Sequence, residues 1–168
     1  TDVLVIGGGI SGILTAYFLN KKGIKCIVAE KDRILNGVTS GTTGKITAQH
    51  GLIYQKIFKT FGGEYTKQYL ESQLWAVDFY KELAKNIDCD FEVKDNFVYS
   101  FEKHKIEKEL EALQKIGCKA EYCDKLNLPF ATAGAVKTKG QAQFHPLKFL
   151  AKISENLNIC EHTKVREM

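Results

Sequence analysis

The chain has 168 residues, of which 44% are hydrophobic and 26% are charged, and its formal net charge is +4. These values are typical of one globular domain or two small ones, and they exclude a disordered chain. Arginine occurs only at Arg33 and Arg166. We therefore expect no nucleic-acid partner, because proteins that read phosphates and bases rely on the forked guanidinium.

The hydropathy pattern and the cysteines indicate where the protein is located and whether it binds a metal. No run of about 18 apolar residues is present, so no membrane span is expected. The cysteines are scattered and contain no Cys-x-x-Cys pair, which predicts reduced thiols in a cytoplasmic protein and no metal site. They are Cys26, Cys89, Cys118, Cys123 and Cys160.

The first thirty residues predict a strand, a helix and a second strand. An apolar run at 3–6 reads as a buried strand, and apolar residues at helical spacing over 10–22 follow a glycine turn. A second strand is predicted over 24–29. Two strands joined through a helix within so short a length form a βαβ unit with parallel strands.

The rest of the chain has mixed patterns. Residues 32–52 are small and polar, typical of a loop or of a segment shaped around a ligand. The helical pattern over 53–88 is broken near Gly62-Gly63. From residue 89 we expect paired strands around Lys94-Asp95, a charged surface helix, further short strands, and a last helix beginning at His145-Pro146. The predicted strands are 90–93, 96–101, 120–123, 133–138, 141–144, 159–160 and 164–165, and the surface helix ends near Gly117.

This order predicts two domains. Residues 1–88 and 141–168 would form a discontinuous nucleotide-binding domain, with the final helix and strand returning to its sheet. Residues 89–140 would form part of an inserted α+β lobe.

The strongest motif lies between the first strand and the first helix. Gly7, Gly9 and Gly12 satisfy G-x-G-x-x-G in the context that a dinucleotide fold requires. Gly7 permits the tight turn, Gly9 lets a pyrophosphate approach the backbone, and Gly12 lets the helix pack closely. Free amides and the positive end of the helix then face the anion.

A carboxylate completes the fingerprint. Glu30 ends the second strand, 18 residues beyond Gly12, where an acid accepts hydrogen bonds from the ribose hydroxyls of the cofactor. It disfavours a 2′-phosphate, although Lys31 and Arg33 nearby weaken that exclusion. The alternative is an ordinary glycine turn beside an exposed glutamate.

We call the glycine turn at 7–12 together with Glu30 the glycine cradle. FAD and NAD both bind in such a cradle, so the segment that follows Glu30 must distinguish between the two cofactors. Hydroxyls of Ser40, Thr42 and Thr43 are suited to donate to phosphate. The backbone amides of Gly44 and Lys45 are candidates for contact with a flavin ring. An NAD dehydrogenase would instead continue with another βαβ unit.

Four stretches resemble one family. They are DVLVIGGGISG at 2–12 with Glu30, GVTSGTTGK at 37–45, QFHPL at 143–147 and TKV at 163–165. Together they resemble the FAD-dependent amine oxidoreductases of the D-amino-acid oxidase, glycine oxidase and sarcosine oxidase type. The run TTGKITAQHG at 42–51 is similar to a bacterial subgroup, some members of which carry a C-terminal Rieske iron–sulfur domain.

The resemblance implies an α/β fold, a Rossmann-like FAD-binding domain with an inserted α+β substrate lobe, truncated before the C-terminal half. It implies hydride transfer from an amine, an amino acid or a similar small substrate to flavin N5, with an iron–sulfur or other electron acceptor. It also implies that the backbone of Val165 contacts the adenine. The expected FAD-binding residues are Gly7, Gly9, Ile10, Ser11, Gly12, Glu30, Lys31, Ser40, Thr42, Thr43, Gly44, Lys45 and Val165.

One position departs from the family pattern. Relatives such as dimethylglycine dehydrogenase have a flavin-linking histidine where this chain has Lys45, so covalent attachment is not expected. Lys45 either favours negative charge on reduced flavin or is simply solvated.

Four other side chains are candidates for the site or the core. Tyr54 and Tyr99 are expected in the core rather than in a pocket, and His145 is expected in a structural polar contact. His50 is a candidate for approach to the flavin. No catalytic residue is named.

Three functions stay open at this level. The leading prediction is an FAD-dependent oxidoreductase, of which these residues alone are inactive. The alternatives are an NAD-dependent dehydrogenase and a non-catalytic dinucleotide-binding fragment. The sequence does not distinguish among substrates.

Overall fold

The computed structural model describes residues 1–167. Strands and helices alternate along the chain, with a short 3-10 turn at Val38–Gly41. The strands are β1 (Val3–Ile6), β2 (Cys26–Ala29), β3 (Lys45–Ile46), β4 (Glu92–Tyr99), β5 (Glu121–Cys123), β6 (Ala135–Gln143) and β7 (Ile159–Cys160). The helices are α1 (Ile10–Lys21), α2 (Tyr54–Ala84), α3 (Lys103–Lys115) and α4 (Pro146–Ser154).

The chain forms two compact units. The first comprises residues 1–44, 86–90 and those from 144 onward, and the second comprises 45–85 and 91–143. These units differ from the predicted domains because 45–85, expected with the nucleotide-binding domain, packs with the second unit. The functional assignment of each unit stays a prediction.

The first unit contains the predicted βαβ arrangement. Its sheet has the order β1-β2-β7 with parallel pairing throughout, so the predicted return of the last strand to the first sheet is confirmed. Val5, Ala16 and Val28 form its buried cluster. The strand predicted at 164–165 is not observed: after β7 the chain makes a turn with His162 at φ 52, and residues 164–165 belong to no strand.

The second unit is an antiparallel sheet with two helices. β6 is central: it pairs with β4 along one edge and with β3 and β5 along the other. Helix α2 is interrupted at Gly62, whose φ is 80 and ψ is 174. The predicted break in this helical segment is therefore confirmed.

The strand pattern of the second unit corrects two predictions. The expected hairpin around Lys94-Asp95 is wrong, because β4 runs through these residues with a register shift between Lys94 and Asn96. Asp95 does not turn the chain but forms an ion pair with Lys137 of β6 at 2.8 Å. The two strands predicted at 133–138 and 141–144 are likewise one strand, which continues through Gly140 at a φ of 69.

Among the helices within residues 1–167, none combines the length and apolar character needed to cross a membrane.

Candidate functional site

The turn after β1 depends on glycine at two positions, Gly7 for its backbone conformation and Gly12 for a close approach. Gly7 has φ +101, in the region that favours glycine, and its N–H donates to Ala29 O at 2.9 Å. A Cβ at Gly12 would lie 1.9 Å from Gly7 O. Helix α1 therefore approaches the end of β1 closely only because residue 12 is glycine.

The N-terminus of α1 is open at this turn. Its N-cap residue is Gly9, which supplies no side-chain cap, so the first amides of the helix lack the usual partner. One of them is occupied: Ile10 N donates to Thr39 Oγ1 at 3.1 Å. The remaining first-turn amides and the helix dipole suit an anion.

Thr39 is a site residue that sequence reasoning missed. Its side chain is 7% exposed and ties the 3-10 turn to the start of α1. The sequence pointed to the neighbouring hydroxyls because the whole segment is rich in Ser, Thr and Gly. No local pattern distinguishes Thr39, since its partner lies 29 residues earlier.

The Glu30 carboxylate is held by backbone amides on both oxygens. Oε1 accepts from Asp32 N at 2.9 Å, and Oε2 accepts from Gly8 N at 2.7 Å. These two N–H groups, with a smaller contribution from the charge of Lys31, hold the pKa of the Glu30 carboxyl below its ordinary value. The carboxylate is therefore ionised and fixed beside the glycine turn.

Strand β7 positions the backbone of the same residue. Glu30 N donates to Cys160 O at 2.9 Å, and Glu30 O accepts from Thr163 N at 2.7 Å. The acid at the end of β2 is thus held by residues about 130 positions later in the chain.

A cavity of about 470 Å³ connects these features. It combines the open helix N-terminus, the glycine turn and an acceptor carboxylate, which fits the adenosine and pyrophosphate part of FAD. Of the expected FAD-binding residues, the cavity is lined by Gly7, Gly9, Ile10, Ser11, Gly12, Glu30 and Lys31.

The remaining expected residues do not line this cavity. Ser40 Oγ donates to Gly37 O at 2.8 Å, and Thr42 and Thr43 are exposed. Gly44 is buried, with φ +67, and its O accepts from Phe144 N at 3.0 Å. Lys45 is exposed at the start of β3 in the second unit.

The expected adenine contact lies beyond β7. Val165 is half-buried and follows Thr163, whose N–H is bound to Glu30 O. Its role at the adenine stays a prediction.

The other candidate side chains have structural partners. Tyr54 is fully buried and its hydroxyl donates to Ala48 O at 2.5 Å; burial raises its pKa. Tyr99, expected in the core, is instead 43% exposed. A ring nitrogen of His50 lies 3.3 Å from Gln73 Oε1. The structural role predicted for His145 is confirmed, because its Nδ1 accepts from Lys148 N at 3.3 Å and caps α4.

The cysteines and acidic residues give no metal centre within residues 1–167. All five cysteines are free. No group of three or more His, Cys, Asp or Glu side chains in this range is placed to hold a metal ion.

Several known proteins are similar to this chain in sequence. The family model described as FAD dependent oxidoreductase (DAO) matches residues 2–168. A putative Rieske 2Fe-2S iron-sulfur protein, YhfW of Bacillus subtilis, is 37% identical over 93% of this chain and 32% of its own length. The gamma-glutamylputrescine oxidoreductase of Escherichia coli is 26% identical over 70% of this chain and 29% of its own length.

Solved structures share the fold. Glycine oxidase from Geobacillus kaustophilus superposes with a TM-score of 0.73 at 21% identity, over 98% of this chain and 47% of that one. The L-alpha-glycerophosphate oxidase of Mycoplasma pneumoniae, solved with FAD bound, gives 0.67 at 17% identity, over 98% and 45%. The chain thus spans about a third of these curated relatives and about half of these solved chains. Taken with the glycine turn, the fixed acid and the match over 2–168, these likenesses show that the chain belongs to the family of FAD-dependent oxidoreductases of the DAO type.

Proposed function

We propose that the protein containing this chain binds FAD in the glycine cradle and oxidises an amine, an amino acid or a similar small substrate. The observation that carries the proposal is the pose of Glu30, ionised and held by Gly8 N and Asp32 N beside the open end of α1. A carboxylate in that pose presents its remaining lone pairs to ribose hydroxyls.

The first unit would hold the nucleotide half of the cofactor. First-turn amides of α1 and the dipole of that helix would stabilise the pyrophosphate, and Gly9 would let it approach the backbone. Thr39 would act indirectly, by holding the start of α1 through Ile10 N. We keep Ser40, Thr42, Thr43, Gly44, Lys45 and Val165 as proposed contacts for the rest of the cofactor.

When bound, FAD would accept a hydride at N5 from the carbon that bears the amine, and water would hydrolyse the resulting imine. The substrate class is supported by the names of similar proteins, which include a D-amino acid dehydrogenase of Helicobacter pylori and the gamma-glutamylputrescine oxidoreductase of Escherichia coli. No residue within this chain is assigned to proton transfer.

The electron acceptor is proposed from one likeness. The Bacillus subtilis relative is named a Rieske iron-sulfur protein, which supports an iron–sulfur electron acceptor for this protein.

A cytoplasmic location is also a proposal. It is supported by the five free cysteines.

The test uses the full-length protein with Gly12→Ala and a matched control, Gly41→Ala. A Cβ at Gly41 meets nothing within 4 Å, whereas one at Gly12 meets Gly7 O at 1.9 Å. We expect the wild type and Gly41→Ala to be yellow, with flavin absorbance near about 450 nm, and to be bleached by an amine or amino acid under anaerobic conditions. Gly12→Ala should lose most of its flavin.

The other outcomes identify the alternatives. A colourless full-length protein that binds NADH would support a nicotinamide-dependent dehydrogenase. Flavin that no amine, amino acid or hydroxy acid reduces would support a non-catalytic binding role. Equal flavin content in Gly12→Ala and Gly41→Ala would contradict the binding of FAD in the glycine cradle.

A further inference from the structure

The cavity at the glycine cradle is bordered by an asparagine that is followed directly by a glycine. Asn36 and Gly37 both line this cavity of about 470 Å³, and both residues are exposed. Asn36 belongs to no helix or strand, and Gly37 is the N-cap of the 3-10 turn. We call Asn36-Gly37 the Asn-Gly pair. It is the one Asn-Gly step in a chain with seven asparagines.

An asparagine side chain can react with the backbone nitrogen of the residue that follows it. That nitrogen gives up its proton and attacks the side-chain carbon Cγ, and a C–N bond forms. The bond from Cγ to Nδ2 then breaks, and Nδ2 leaves as ammonia with the proton. Water opens the resulting succinimide ring at one of its two C–N bonds, which gives either aspartate or isoaspartate. Water is the only co-reactant, and nothing is oxidised or reduced.

Three features of the Asn-Gly pair favour this reaction. Gly37 has no Cβ to obstruct the approach of its nitrogen to Cγ of Asn36, whereas each of the other six asparagines precedes Lys, Ile, Phe or Leu. Within residues 1–167, no group accepts a hydrogen bond from Gly37 N or bonds to the side-chain amide of Asn36. Both reacting groups are also open to water, so neither must leave a folded contact before it reacts.

The two products change the glycine cradle in different ways. Aspartate adds a negative charge to the lining of a cavity proposed to hold a pyrophosphate, and like charges repel. Isoaspartate adds one carbon to the main chain between two anchors of the segment. Leu35 N donates to Gly8 O at 2.9 Å before the Asn-Gly pair, and Thr39 Oγ1 accepts from Ile10 N at 3.1 Å after it. The longer path therefore disturbs the contact that holds the start of α1.

We propose that the Asn-Gly pair is a site of spontaneous deamidation, and that aspartate or isoaspartate formed there weakens the binding of FAD. The reaction itself depends only on the surroundings of Asn36. Its consequence rests on the proposed function, because it requires the pyrophosphate of FAD to lie in the glycine cradle. The affinity of the protein for its cofactor therefore falls as the protein ages.

The reaction is measured in the full-length protein, incubated at mildly alkaline pH in water enriched in heavy oxygen. Mass spectrometry of its peptides then counts the carboxylates formed during the incubation, which carry the label. We expect the label at Asn36 to accumulate at least about tenfold faster than at any of the other six asparagines. A Cβ at Gly37 meets nothing within 4 Å. Gly37→Ala is therefore the matched control, and it should slow the labelling of Asn36 at least about tenfold.

Two variants of residue 36 measure the effect on FAD. Asn36→Asp reproduces the charged product at normal main-chain length, and Asn36→Gln keeps a neutral amide. In titrations of the full-length apoprotein, we expect Asn36→Asp to bind FAD at least about threefold more weakly than Asn36→Gln, because the added charge repels the pyrophosphate. The difference should shrink at high salt, because ions screen the charge.

The outcomes separate the reaction from its consequence. The deamidation site is overturned if Asn36 is labelled no faster than the other asparagines, or if Gly37→Ala is labelled as fast as the wild type. The effect on FAD is overturned if Asn36→Asp and Asn36→Gln bind FAD equally well while Gly12→Ala loses its flavin. If Gly12→Ala also keeps its flavin, the proposed function has failed and the effect on FAD falls with it, whereas the labelling result stands.

Discussion

Replacing Gly12 by alanine tests the packing of α1 against β1 most directly. The new methyl group would start 1.9 Å from Gly7 O and reach ordinary contact at 3.4 Å only after a displacement of about 1.5 Å. The obstacle is backbone, not the flexible end of a side chain, so the helix itself must move. Overpacking of this kind typically costs about 1–3 kcal/mol, and a movement of the helix N-terminus also weakens its contact with an anion.

The assay is thermal unfolding of the full-length apoprotein, followed by titration with FAD. A loss of about 1–3 kcal/mol corresponds to a fall in Tm of roughly 2–12 °C for a domain of this size. We expect the Kd for FAD to rise at least about tenfold, which is about 1.4 kcal/mol. Gly41→Ala, which meets open space, should change Tm by less than about 2 °C. If the two variants unfold and bind FAD alike, the close approach described for Gly12 is wrong.

Three further predictions concern Glu30, Glu109 and Gly44. Because the folded pKa of Glu30 is lowered, its ionised form stabilises the fold fully above its ordinary pKa near about 4.3 and less as the pH falls through the lower folded value. The slope of Tm against pH below about pH 4.3 should therefore be shallower in Glu30→Gln. An unchanged slope would contradict a stabilising role of the hydrogen bonds that Gly8 N and Asp32 N donate to this carboxylate. Glu109→Gln places an amide where a buried carboxylate accepts three hydrogen bonds. This substitution should lower the free energy of unfolding by about 2–4 kcal/mol in urea titrations. The control, Glu111→Gln at an exposed position of the same helix, should change it by less than about 0.5 kcal/mol. Equal effects of the two substitutions would refute a stabilising role of Glu109 as a buried acceptor. Gly44→Ala brings a Cβ to 2.3 Å from Phe144 O at φ +67, and Gly51→Ala imposes a similar φ of +78 with nothing within 4 Å. Gly44→Ala should therefore lower Tm more than Gly51→Ala, and the reverse order would show that backbone strain alone decides.

The parts of the fold that the sequence predicts are those with local causes. The order of β1, α1 and β2 follows from a short apolar run, a glycine turn and helical spacing within 30 residues. The break of α2 at Gly62 and the start of α4 at Pro146 are also set by single residues. The cradle residues Gly7, Gly9, Gly12 and Glu30 share one cavity because a short motif and the fold around it specify their relative positions.

The features that sequence reasoning misses depend on distant partners. Lys94 and Asp95 resemble a turn, but Asp95 finds Lys137 on a strand that begins 40 residues later. Glu109 lies on a helix predicted to be charged and exposed, yet it is fully buried because the start of α2 needs an acceptor. Thr39 is not distinguished from Ser40 by any local rule, and only the position of Ile10 N does so.

The pairing of β2 with β7 also dictates an order of events during synthesis. The segment 45–143, apart from five residues, makes up the second unit, and all of it emerges from the ribosome before Cys160 and Thr163 do. Until those two residues emerge, the backbone of Glu30 lacks the partners on β7 and just beyond it that fix it, although the glycine turn has long been exposed. The nascent chain therefore completes the proposed nucleotide site late, after the second unit has had time to fold.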